Sequence, residues 1–149
     1  MNQVVLAAWL HYLGIMAMMA LLVLEHRLFK PQLSVEDARA LLRVDGFYGT
    51  IAGVQIGTGV WRMWLEKGSA FYLANPLFHA KIGLFALVGI LSLYPTLTFL
   101  RWRSSLRQGQ APQIPPGKAK MVVMLIRLEL LGLLLLPLLA AMIARGVQP

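Results

Sequence analysis

A chain of 149 residues is one domain by length, and with 58% hydrophobic and only 13% charged residues it lacks the roughly one-quarter charged composition of a water-soluble fold. The formal net charge of +8 could suit nucleic acid, but the cations sit in short segments between apolar runs, as in cytoplasmic loops, so no nucleic-acid partner is expected. Without cysteine the chain can form no disulfide, thiolate metal site, iron–sulfur cluster or c-type haem attachment.

In chain order, four apolar runs are each long enough to cross a hydrocarbon layer, at about residues 3–25, 46–65, 78–100 and 121–144. The first carries no formal charge through residue 24, and His11 is its only imidazole. No basic residue precedes it, so a span is expected there rather than a cleavable signal peptide. The expectation is an all-α integral membrane protein, a four-helix bundle forming one transmembrane domain over residues 1–149.

The connections set the topology. Arg27, Lys30, Arg39 and Arg43 lie between runs one and two, and Arg101, Arg103, Arg107, Lys118 and Lys120 between runs three and four. Arg62, Lys67, Lys81 and Arg145 lie on the other side. The positive-inside rule places the two basic loops in the cytoplasm and both termini on the outer, periplasmic side of a bacterial inner membrane. In "SVEDARALLR", Ser34 and Asp37 form a capping-box pattern before recurring leucines, which predicts an amphipathic cytoplasmic helix over about 35–43. The second loop, "SSLRQGQAPQIPPGKAK", reads as a flexible linker.

A charged side chain inside a span costs about 2.5–3.5 kcal/mol on insertion, so each calls for a partner or a purpose. His11 and Glu129 lie at similar depths counted from opposite surfaces and could meet near the middle. A carboxylate that orients a buried histidine suits a metal or haem ligand. The alternative is a structural hydrogen bond between helices one and four. Arg127 and Glu129 are two residues apart and cannot pair on one helix. Arg127 is therefore expected in a structural ion-pair cluster with Glu25 and Asp45.

Toward the outer side, Arg62, Lys67, His79 and Lys81 gather near Tyr72 and Asn75, with Glu66 the one nearby acid. Such a set suits an anion, for example the carboxylates of a membrane-embedded ligand. Snorkelling of Arg62 and Lys81 to the headgroups, beside Trp61 and Trp64, is the alternative. Gly49, Gly53 and Gly57 recur every four residues, which allows close approach of a neighbouring helix or of a flat macrocycle. Pro95 and Pro137 are expected to kink their helices. Met16, Met18 and Met19 are ordinary span residues rather than a copper path.

Two stretches carry a resemblance. "GFYGTIAGVQIGTGVWRMWLEKGSAFYLANPLFHAKIGLFALVGILSLYPTLTFLRWR" and "IRLELLGLLLLPLLAAMIARG" resemble a family of small four-helix bacterial inner-membrane proteins of unknown function. "WLHYLG" and "FHAK" are more distantly similar to HemJ-type protoporphyrinogen oxidases and to CopD-like membrane domains. HemJ proteins carry a histidine early in span one and a His-x-Lys at the start of span three. That likeness implies His11 as the axial ligand of haem b and Lys81 as a contact to a propionate or substrate. HemJ also has an arginine late in span one. Here the nearest is Arg27 in "HRLF", displaced and preceded by Glu25, and Glu129 is not part of the HemJ pattern.

Three functions follow as expectations. The first is a membrane-embedded b-haem or porphyrin-binding protein with a HemJ-like oxidoreductase role. His11 would ligate the iron, with Arg62, Tyr72, His79 and Lys81 around the cofactor and its carboxylates. Lys81 and Glu129 would be its catalytic groups, and a porphyrin or quinone its partner in the lipid bilayer. The second is a non-enzymatic structural or assembly subunit, as a homo-oligomer or within a larger membrane complex. The third is a metal or small-anion transporter. Neither a nucleophile elbow nor a paired-carboxylate spacing points to hydrolysis, and two histidines at different depths do not make a catalytic zinc site.

Overall fold

The computed structural model describes residues 2–147, so residues 1, 148 and 149 of the expected domain lie outside the described residues. Within them the chain is all-helical: α1 (Gln3–Leu28), α2 (Val35–Leu65), α3 (Ser69–Leu73), α4 (Pro76–Arg101), α5 (Arg103–Arg107) and α6 (Pro116–Ala144). Three helices are long and apolar enough to cross a membrane, namely Gln3–Leu28, Pro76–Arg107 and Pro116–Ala144. The apolar part of α2 is diluted by its glycines and by Thr50, Gln55 and Thr58.

Local chemistry explains where the helices begin. The Asn2 side chain accepts from Val4 N at 3.1 Å, and Ser34 Oγ accepts from Asp37 N at 3.0 Å, each satisfying an orphan amide of a first turn. Asn75 caps α4 in the same way at 2.9 Å, with Pro76 preset for the first helical position. The turn out of α2 passes through Gly68 at φ 79°, a left-handed conformation that a side chain would strain. Both α4 and α6 continue through their internal prolines, Pro95 and Pro137.

Two expectations differ from the structure. The amphipathic stretch 35–43 and the run 46–65 are one continuous helix of 31 residues, because nothing between Arg43 and Gly46 breaks the backbone ladder. At 1.5 Å per residue it is about 46 Å long, so its charged first turns extend well beyond a 30 Å hydrocarbon layer. The second loop is not a free linker. Arg39 Nη2 donates to Leu106 O at 2.8 Å, Gln32 and Gln113 form an antiparallel bridge, and Trp102 and Leu106 are buried. The two basic loops therefore pack on each other at one end of the molecule.

Helices α1 and α2 form one closely packed pair and α4 and α6 another. The pairs are joined mainly through α1 and α6, while α2 and α4 touch little. Gly132 is where α6 meets α4 most tightly, since a Cβ there would collide with Val88 Cγ2. The buried apolar cluster includes Phe29, Leu33, Leu41, Phe99, Trp102, Leu106, Val122 and Ile126, all toward the basic-loop end. At the other end burial is sparse: between residues 59 and 87 only Asn75 is buried. Large apolar side chains such as Trp9, Ile56, Trp64, Ile90 and Leu134 face outward, as they do where lipid is the solvent.

Candidate functional site

Polar side chains inside the bundle fall into two layers. The first surrounds His11, where α1 crosses α2. His11 Nδ1 lies 3.0 Å from Thr58 Oγ1, and Gln55 Nε2 lies 3.3 Å from His11 Nε2. The Thr58 hydroxyl spends its own proton on Val54 O at 2.9 Å. With that proton engaged the hydroxyl accepts from the ring, an arrangement that favours protonation at Nδ1 and turns the Nε2 lone pair to the Gln55 amide. Glycines permit this crossing. A Cβ at Gly14 would strike Gln55 Oε1, and a Cβ at Gly59 would come within 3.3 Å of His11 Cε1.

Around this crossing the structure gathers part of the outer set. Arg62 Nε donates to Glu66 Oε1 at 2.7 Å, and Tyr72 donates to Glu66 Oε2 at 2.8 Å. The Arg62 guanidinium lies 5.0 Å from the centre of the Tyr12 ring. Lys81, Arg62 and Glu66 all lie within electrostatic range of His11. Lys81 is half-buried and makes no ion pair among the described residues. Beyond the end of α2, burial works against ionisation of Glu66. The hydrogen bonds from Arg62 and Tyr72 outweigh it and hold the carboxyl below its ordinary value. Burial and donation to Glu66 push the Tyr72 hydroxyl up to about 12.

Other members of the outer set are elsewhere. His79 is exposed, with Nδ1 3.1 Å from Asn75 O and its ring edge-on to Phe78. Two residues from Lys81 on one helix, it faces away from it. Lys67 sits over Phe71 at 4.4 Å.

The second layer lies near the basic-loop end. Glu25, Asp45, Tyr48 and Glu129 are all buried there, within electrostatic range of one another. Thr96 Oγ1 donates to Asp45 Oδ1 at 2.6 Å. Tyr48 lies against Glu129, but its hydroxyl, both Glu129 oxygens and Glu25 Oε2 have no hydrogen-bond partner among the described residues. The three acids do not approach as a metal-binding group.

This layer corrects two expectations. Arg127 is not in the cluster: it is exposed on the outer surface of α6, and its Nε donates to His26 Nε2 at 3.3 Å. Glu129 does not meet His11. It is level with Glu25, which is 14 residues from His11 and so roughly 21 Å away along α1. The depth count failed because α6 begins at Pro116, and its basic first turns overshoot the end of α1.

The residues that hold His11, Gln55 and Thr58, had a sequence signal. They are polar, three apart, and so share one face of an otherwise apolar helix. Asp45 and Tyr48 repeat that spacing one layer away. The expected glycine stripe is on the opposite face: Gly49, Gly53 and Gly57 are exposed, and a Cβ at any of them would meet nothing within 4 Å.

Neither a curated protein nor a solved structure matches the chain. Residues 3–148 match the model of the family described as "Predicted membrane protein (DUF2214)", and the chain belongs to that family of membrane proteins.

Proposed function

We propose that the chain is a four-span bundle of the bacterial inner membrane, with periplasmic termini, that binds a b-type haem or related porphyrin beside His11. The observation that carries this reading is the state of the His11 ring. Its Nδ1–H is anchored to a hydroxyl that can only accept, so the lone pair is on Nε2, whose one partner is a long contact to a side-chain amide. An anchored Nδ1 with the lone pair on Nε2 is the arrangement a metal-ligating histidine needs. With the Gln55 amide turned aside, Nε2 would be the atom that ligates the iron. Lys81, without an ion pair, and Arg62 would hold propionates, with Tyr72 supporting Glu66 behind Arg62. Sparse burial at this end of the bundle leaves the helices free to admit a ligand. Bound haem would supply one-electron redox chemistry, and the chain would supply the ligand, the cations and a water-poor surrounding. Glu129 lies in the other polar layer, away from His11, and His79 is exposed with its Nδ1 beside Asn75 O.

The sidedness rests on charge. The two basic loops pack together at one end, and the positive-inside rule puts that end in the cytoplasm. The apolar, outward side chains of α2 over 54–64 support it as the fourth span.

The test is an absorbance spectrum of protein purified in detergent from haem-supplemented cells, oxidised and then reduced with dithionite. A Soret band near unit stoichiometry that disappears in His11→Ala is the expected result. A folded, colourless protein overturns the reading. A second reading, a packing subunit of a larger assembly, is favoured by the exposed Gly49, Gly53 and Gly57 face.

A further inference from the structure

A groove of about 650 Å³ runs along the outward face of α6 at the basic-loop end. Its lining is mostly apolar and contains two cations, Lys120 and Arg127, and no acid. Both cations are exposed, and the one nearby acid on α6, Glu129, faces the interior. Lys120 and Arg127 are two helical turns apart, roughly 10 Å, on one face. Helical side chains lean toward the N-terminus, so Arg127 leans toward Lys120. Arg127 spends one donor on a 3.3 Å contact to His26, near the end of α1, which leaves most of its guanidinium unengaged. Below the cations, exposed Met124, Leu128 and Leu131 continue the groove toward the middle of the bundle.

We propose that this groove binds an anionic phospholipid of the leaflet at the basic-loop end. Its phosphate lies between Lys120 and Arg127, and an acyl chain lies along Val123, Met124, Leu128 and Leu131. The charge pattern selects the occupant. Two uncompensated cations above an apolar wall match an anionic headgroup with its acyl chain. This inference is independent of the His11 site.

The test uses the full chain reconstituted in nanodiscs of equal phosphatidylcholine and phosphatidylglycerol, washed with mild detergent, with retained lipid quantified by mass spectrometry. The expected result is enrichment of phosphatidylglycerol by about fivefold. It should fall in Arg127→Leu or Lys120→Gln and vanish in the double variant. Arg127→Leu makes the outward face more apolar, and Lys120→Gln alters an exposed position in the second turn of α6, so neither should prevent insertion. Equal retention of the two lipids, or enrichment that survives the double variant, overturns the proposal. So does a stoichiometric protein on this face that the same substitutions release.

Discussion

His11 Nδ1 lies 3.0 Å from the Thr58 hydroxyl and joins the first helix to the second across 47 residues of chain. With the Thr58 proton on Val54 O, this contact favours the tautomer that carries its proton on Nδ1. Thr58→Val keeps the side-chain shape and leaves that ring N–H unpaired, at a cost of about 1–3 kcal/mol. Thermal melting in detergent should show the loss. If the His11 site takes haem, the variant should bind it more weakly, while His11→Ala should not bind it at all.

Among the described residues Glu25, Asp45 and Glu129 are buried together without a cation, with the Tyr48 hydroxyl beside Glu129. Replacing such a carboxyl by an apolar residue of similar size removes a desolvated polar group. Glu129→Leu should therefore stabilise the fold by about 1–3 kcal/mol, read as a raised melting temperature. Arg127→Leu should leave stability nearly unchanged, because Arg127 is outside this cluster. A loss of several kcal/mol in that variant would restore the ion-pair cluster.

At the opposite end, Glu66 takes hydrogen bonds from Arg62 and Tyr72, and its folded-state pKa lies below the ordinary value. Its contribution to stability is complete above about pH 4.5, the ordinary value, and is lost as pH falls through the lower folded one. Melting curves from neutral pH down to about pH 3 should show this acid-dependent loss in the wild-type protein, and a flatter profile in Glu66→Gln. Tyr72 works in the other direction. Its folded value of about 12 keeps its contribution intact below the ordinary 10.0 and removes it as pH rises through 12.

A Cβ at Gly53 meets nothing within 4 Å. Gly53→Leu should match or slightly exceed wild-type stability in detergent, since glycine costs a helix about 1 kcal/mol. Where the stripe packs on another helix of an assembly, the same variant should lose that association in chemical cross-linking of membranes. Unchanged cross-linking would remove the packing reading.

The membrane class, the helical architecture and the cap at Ser34 were legible in the residues alone. Long apolar runs exclude a soluble fold, and a capping side chain acts within three residues of chain. The gathering of Arg62, Tyr72 and Lys81 near one surface could also be read, because those residues lie within or beside the short connection from α2 to α4. What the sequence could not decide was how far each helix slides along its neighbours. That offset is set by side-chain packing between helices, at contacts such as Gly14 with Gln55 and Gly132 with Val88. It moved Glu129 away from His11 and into the layer of Glu25. Rotation about the α6 axis, decided by the same packing, turned Arg127 outward to His26 and Glu129 inward. Hydropathy reports that a residue lies within a span; only the packed bundle assigns its depth and the face it occupies.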